Sequence, residues 1–120
     1  MSDFRDLILW QRADELHSIV AKLVKALPYQ QQKSLGDQMD RAAISVVSNI
    51  AEGHGRRSPK EFLQFLYISK GSLDELASQL TMYNRVNQGH EAEINAANIK
   101  ATEVSKLLHV FIKKTKAKID

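Results

Sequence analysis

The chain has 120 residues, no cysteine, and a formal charge of +3 from 17 Lys and Arg against 14 Asp and Glu. That length suits one domain, residues 1–120, with a core that needs no staple, and the missing thiol excludes thiol catalysis, cysteine-ligated zinc and disulfides. Four of the bases, Lys113, Lys114, Lys116 and Lys118, lie in the last eight residues against one acid, Asp120, which leaves a formally neutral body of 13 and 13 in residues 1–112.

Met1–Leu9 carries Asp3, Arg5 and Asp6, so it has no apolar leader core, and no run of ~18 or more apolar residues exists to span a bilayer. A cytoplasmic protein with no membrane contact is expected. Helix one is expected over roughly Asp6–Leu27, where Leu9, Ala13, Leu16, Val20, Leu23 and Leu27 recur at alternating spacings of four and three. Pro28 ends it. Trp10 lies about a third of a turn from that seam, either flanking the core or touching another subunit. Tyr29–Ser34, with three glutamines, reads as a polar connector.

Helix two is expected from Ser34–Gly36 through Met39, Ala42, Ala43, Val46, Val47 and Ile50, on a face of small residues that lets a neighbour approach closely. Asn49 lies on that stripe, where its amide must find partners, and the adjoining glycine loop is the expected place. Gly53 and Gly55 are expected to break the helix, since glycine is costly in a helix and readily takes left-handed φ. Glu52 and Arg56 are four apart, in the favourable order for a helical ion pair or, across the break, for a loop tie.

Ser58 is a natural N-cap, Pro59 suits the first helical position, and Glu61 completes a Ser-x-x-Glu capping box. Helix three then runs to about Asn87 on a seam of Phe62, Leu66, Ser69, Leu73, Leu76, Leu80 and Tyr83. Leu63 and Tyr67 flank it on one side; Phe65, Ile68, Met82 and Val86 flank it on the other. That is more apolar surface than one bundle face needs, so a homo-oligomer is expected. Gly71 marks either a close backbone approach or a tolerated glycine. After a turn at Gln88–His90, helix four is expected over Glu91–Lys118 on Ile94, Ala97, Ala101, Val104, Leu108 and Phe111, with acids at its first turn and lysines at its last. Short connectors make the fold all-α, an antiparallel up-down-up-down four-helix bundle.

Enzyme chemistry finds little support. The bundle metal pattern needs Glu-x-x-His on facing helices, and His17, His54, His90 and His109 do not provide it. Ser45, Ser48 and Ser58 have no evident base and orienter, and neither a phosphate-binding loop nor a dinucleotide fingerprint is present. No catalysis, metal or cofactor is expected. What remains is anion recognition around Gly53–Lys60, where Arg56 and Arg57 can donate in a planar fork and the glycines allow close approach. The competing reading is a structural connector whose arginines pair with Glu52 or Glu61. Repeated around an oligomer, one weak phosphate site becomes a multivalent surface for a polyanion. The candidate nucleic-acid contacts are therefore Arg56, Arg57, Lys60, Lys113, Lys114 and Lys116, held by a loop framework of Asn49, Glu52, Gly53, Gly55 and Ser58. The lysine tail reads alternatively as the complement of a helix dipole.

The run Ser48-Asn49-Ile50-Ala51-Glu52-Gly53, with Gly55-Arg56 and Ser58, closely resembles the family of bacterial four-helix bundles encoded in intervening sequences of 23S ribosomal RNA genes. Phe4-Arg5-Asp6-Leu7 with Trp10-Gln11 and Ala13, Arg41-Ala42-Ala43, Glu61-Phe62 with Phe65-Leu66, and Gly71-Ser72-Leu73 with Glu75-Leu76 and Gln79-Leu80 extend the match. The resemblance implies an antiparallel bundle, assembly as a cyclic pentamer and no known catalysis. It reaches distantly to accessory proteins of diversity-generating retroelements, whose basic pentameric barrel binds RNA and the reverse transcriptase. This chain departs from that branch in its formally neutral body. The reading is a non-enzymatic, homo-oligomeric bundle that binds structured RNA or another polyanion at the Arg-Arg loop; the alternative is a protein-interaction scaffold with no nucleic-acid role.

Overall fold

A computed structural model describes residues 3–86 and 89–119. Its main helices are α1 (Ile8–Ala26), α2 (Asp37–Gly55), α3 (Pro59–Val86) and α4 (Glu91–Ala117). At ~1.5 Å rise per residue, the 28 residues of α3 span about 42 Å, and the molecule measures 48 × 20 × 19 Å. Every helix must therefore run along the long axis and reverse at each connection. Each packs against its chain neighbours, and α1 closes the ring against α4. The fold is the expected all-α bundle.

The core follows the apolar seams. Leu9, Ala13, Leu16, Val20 and Leu23 of α1, Met39, Ala43, Val46 and Ile50 of α2, and Leu66, Leu76, Leu80 and Tyr83 of α3 are buried. On α4 the buried line runs from Ile94 through Leu108 to Ile112 and Thr115, and Phe111 is left at its margin. Trp10 flanks the core and meets the Phe4 ring edge-on at 5.1 Å between centroids. Ser69 is fully buried on the α3 seam and donates to the Val46 carbonyl oxygen at 2.9 Å.

Two local expectations need correction, at Tyr29–Ser34 and at Gly53 and Gly55. Tyr29–Ser34 is helical: a turn at Tyr29–Gln31 passes into π-helix at Gln32–Gly36 and then directly into α2. Pro28 presets the first turn, and Gln32 Nε2 donates to the Leu27 carbonyl at 2.7 Å, covering a helix end that Leu27, extended before proline, leaves open. The helix also continues through Gly53 and Gly55. Gly53 is buried because a Cβ there would stand 2.6 Å from Phe65 Cβ and 2.9 Å from Phe62 Cδ1, so it is a packing glycine. The left-handed residue that ends α2 is Arg57, with φ 59°. Around Gly71 nothing lies within 4 Å of a built Cβ, so within this chain it is the tolerated glycine.

Helix three's expected end at Asn87, the turn residue Gln88, the Val86 side chain and Asp120 lie outside the described residues. Among the described residues, no helix is long and apolar enough to cross a membrane.

Candidate anion-binding site at the loop end

Up-down topology brings three separate stretches to one end of the bundle: the start of α1, the α2–α3 connector and the last turns of α4. Ser58 builds the connector's far side as the N-cap of α3, its Oγ accepting from the Glu61 N–H at 3.3 Å and its carbonyl from the Phe62 N–H at 2.8 Å. On the near side, the Arg56 and Arg57 N–H groups donate to the Gly53 and His54 carbonyls at 3.2 and 3.3 Å. This tight closure is what drives Arg57 into left-handed φ, a region that costs a non-glycine residue roughly 1–2 kcal/mol. Three connector residues thus reverse the chain.

A cavity of about 540 Å³ opens between these stretches. Leu7, Pro59, Phe62 and Phe111 give it apolar walls, and His54, which meets the Phe62 ring edge-on at 6.2 Å, shares them. Arg57, Lys114 and Lys118 supply positive charge, with Gly53, Ser58 and Thr115 completing the lining. None of its described lining residues is acidic. The α4 dipole adds to the lysines' setting from the opposite sense, since its carbonyl end favours cations there. Nearby, the Arg5 backbone N–H and guanidinium both donate to the Asp3 carboxylate at 2.9 Å; the backbone bond chiefly holds that carboxyl below its ordinary range.

The expected contact residues separate into groups. Arg57 and Lys114 share the cavity, with Gly53 and Ser58 of the loop framework. Arg56 turns back onto its own chain: its guanidinium lies 3.4 Å from Glu52, 3.8 Å from Glu61 and 5.3 Å from the Phe65 ring centroid. With the helix unbroken at Gly53 and Gly55, the Glu52 contact is the helical pair, and the Glu61 contact is the connector pairing expected as the competing reading. Lys116 stands over Tyr67 at 6.0 Å, and Lys60 and Lys113 are exposed away from the cavity lining. Asn49 does not bond the glycine loop. Its Nδ2 donates to the Ser45 carbonyl at 2.8 Å and to Ser45 Oγ at 3.1 Å, and Ser45 in turn meets Ser72 Oγ of α3 at 2.7 Å. The amide finds satisfaction one turn back because the close α2–α3 contact puts two serines there.

Lys118, His54, Phe62 and Phe111 escaped the sequence reading as site residues. For Phe111 and Lys118 the signal was present in the spacing Phe111, Lys114, Thr115, Lys118, which places all four on one face of α4 and its C-cap; His54 and Phe62 carried no such signal. Among the described residues, no three His, Asp or Glu side chains gather into a metal-binding group.

A family model described as 23S rRNA-intervening sequence protein matches residues 5–110. A solved structure from Bacteroides thetaiotaomicron, described as a protein of unknown function from the S23 ribosomal protein family, is similar with a TM-score of 0.80 at 24% identity, over 88% of this chain and 96% of that one. At that identity the likeness speaks to the fold. No curated protein matches the chain.

Proposed function

The chain belongs to the 23S rRNA-intervening sequence protein family, and we propose that it is a non-catalytic bundle that assembles with copies of itself and binds structured RNA at its loop end. The observation that carries the reading is the cavity that Arg57 from the connector and Lys114 and Lys118 from the end of α4 line together. Cations from two elements that face one opening favour a phosphate chain over a single carboxylate partner. Arg56 takes the positioning role, holding the connector against Glu52, Glu61 and Phe65.

Self-association is supported by α3, where Tyr67, Ile68 and Met82 are 44%, 50% and 46% exposed. A cyclic pentamer is the state the family resemblance implies, and such a ring would repeat the loop end around its axis and add the sites multivalently. Those same exposed side chains favour a second reading, a scaffold for a protein partner. The test is gel-shift binding of a labelled, structured RNA by wild type and by the double variant Arg57→Ala/Lys114→Ala, matched for oligomer mass. Binding by wild type that the variant loses supports the proposal; equal binding by both, or none by either, rejects it in favour of the scaffold.

A further inference from the structure

Phosphate recognition alone leaves half of the cavity unexplained. A backbone phosphate needs donors on an open surface, whereas here the donors border a concavity of about 540 Å³ walled by Leu7, Pro59, Phe62 and Phe111. That volume falls in the range of roughly 300–1,000 Å³ usual for small-ligand sites, whose walls are mostly apolar with a few convergent polar groups. Lys114 in the last turn of α4 and Lys118 at its C-cap are one turn apart and line the cavity with Phe111, and Arg57 lines it from the connector. Such a site matches a ligand with a flat, weakly polar body joined at short range to a phosphate anion.

We propose that the cavity takes one unpaired nucleotide, its base against Phe62 and Phe111 and its phosphate on Arg57, Lys114 and Lys118. This rests on the reading of the loop end as an anion site and narrows it from the RNA backbone to a nucleoside phosphate unit. A base buried in a duplex cannot enter; a splayed or terminal one can, and any base offers a π-face to an aromatic wall. The unit has two sources of the same chemistry, a free mononucleotide or an exposed nucleotide of RNA.

Saturation-transfer NMR on the full chain with adenosine 5′-monophosphate, beside ribose 5-phosphate, separates the two halves of the site. The expected result is strongest saturation at the adenine protons and an affinity for the nucleotide about tenfold or more above that for the sugar phosphate, as base–aromatic stacking supplies. Phe111→Leu, which keeps an apolar wall, narrows that ratio, and Lys114→Gln/Lys118→Gln weakens both ligands, with helicity by circular dichroism unchanged. A second pair of probes, a blunt RNA duplex and the same duplex with a single-stranded overhang, reads the source. Overhang preference assigns the nucleotide to RNA. Nucleotide binding without RNA binding assigns it to the free pool and overturns the RNA reading while upholding the pocket. RNA binding with equal duplex and overhang affinity and no saturation at the adenine protons upholds the RNA reading and overturns the nucleotide pocket. No binding of any probe overturns both.

Discussion

Gly53 packs so tightly on α3 that a Cβ added to it would stand 2.6 Å from the Cβ of Phe65. Both atoms belong to backbone-anchored positions, so relief requires moving one helix. Gly53→Ala is expected to destabilise the fold by about 1–3 kcal/mol, the usual cost of overpacking. Gly71→Ala runs the other way, since its built Cβ meets nothing within 4 Å and alanine gains roughly 0.5–1 kcal/mol over glycine in a helix. Thermal unfolding of the two variants checks the opposite signs. A loss at Gly71→Ala that grows with protein concentration would show that a second copy covers that position.

Arg57 holds φ 59° without being glycine. Arg57→Gly removes the left-handed penalty but enlarges the unfolded ensemble, and the balance is expected to stabilise the fold by roughly 0.5–1 kcal/mol. The same change removes one of the three cavity cations and, on the proposed RNA-binding reading, is expected to weaken RNA affinity. A melting curve and a binding curve on one variant test this pairing of stability gained with affinity lost. A variant that loses stability shows that the side chain's own contacts outweigh the backbone strain.

Much of this architecture was legible in the sequence. The seams of α1 and α3 declared themselves because each buried position recurs at three or four, and Ser58-Pro59 marked a helix start that the Glu61 N–H confirms. Gly53 was misread because breaker and packing glycines share one chemical property, the missing Cβ, and the difference is set by Phe62 and Phe65 on the next helix. Tyr29–Ser34 looked like a loop because polar composition says nothing of backbone geometry when Pro28 and Gln32 can cap a turn. At the site, Arg57 and Lys114 were visible as charges, but the cavity needed topology: only the reversal of α2 into α3 and the return of α4 bring them together.

The α1–α4 contact carries an ion-pair network whose pH response has a defined sign. Lys100 Nζ donates to Glu15 at 2.7 Å and to Glu103 at 2.9 Å, and Arg12 donates to Glu15 at 2.6 Å. The Lys100 bond chiefly lowers the Glu15 pKa, so this stabilisation is present above the ordinary carboxylate value and is lost as pH falls through the lower folded one. Glu15, then Glu103, raise the Lys100 pKa, so that part is complete below the ordinary lysine value and is lost as pH rises through the higher folded one. Lys100→Met is expected to flatten both limbs of the melting temperature plotted against pH, the acid limb below about 4 and the alkaline limb above about 10, where those ordinary values lie. The groups are near the surface, so the effect is small and fades in ~0.5 M salt.

Self-association through α3 predicts a sedimentation mass that is a multiple of 13.6 kDa. Ile68, half exposed on that helix, is the position to charge. Ile68→Glu should shift the protein to monomer while its helical circular dichroism stays unchanged. An unchanged multiple in the variant moves the interface elsewhere, and a wild-type monomer removes the multivalent account.

The most direct test of the central claim is the slope of log binding constant against log salt for a structured RNA, compared between wild type and Lys114→Gln/Lys118→Gln. If the cavity lysines neutralise phosphates, wild type shows a steep negative slope and the variant's is shallower by about 1.4–1.8, two charges' worth of released counterions. Equal slopes, or no measurable RNA binding at low salt, would contradict the assignment of RNA recognition to the loop end.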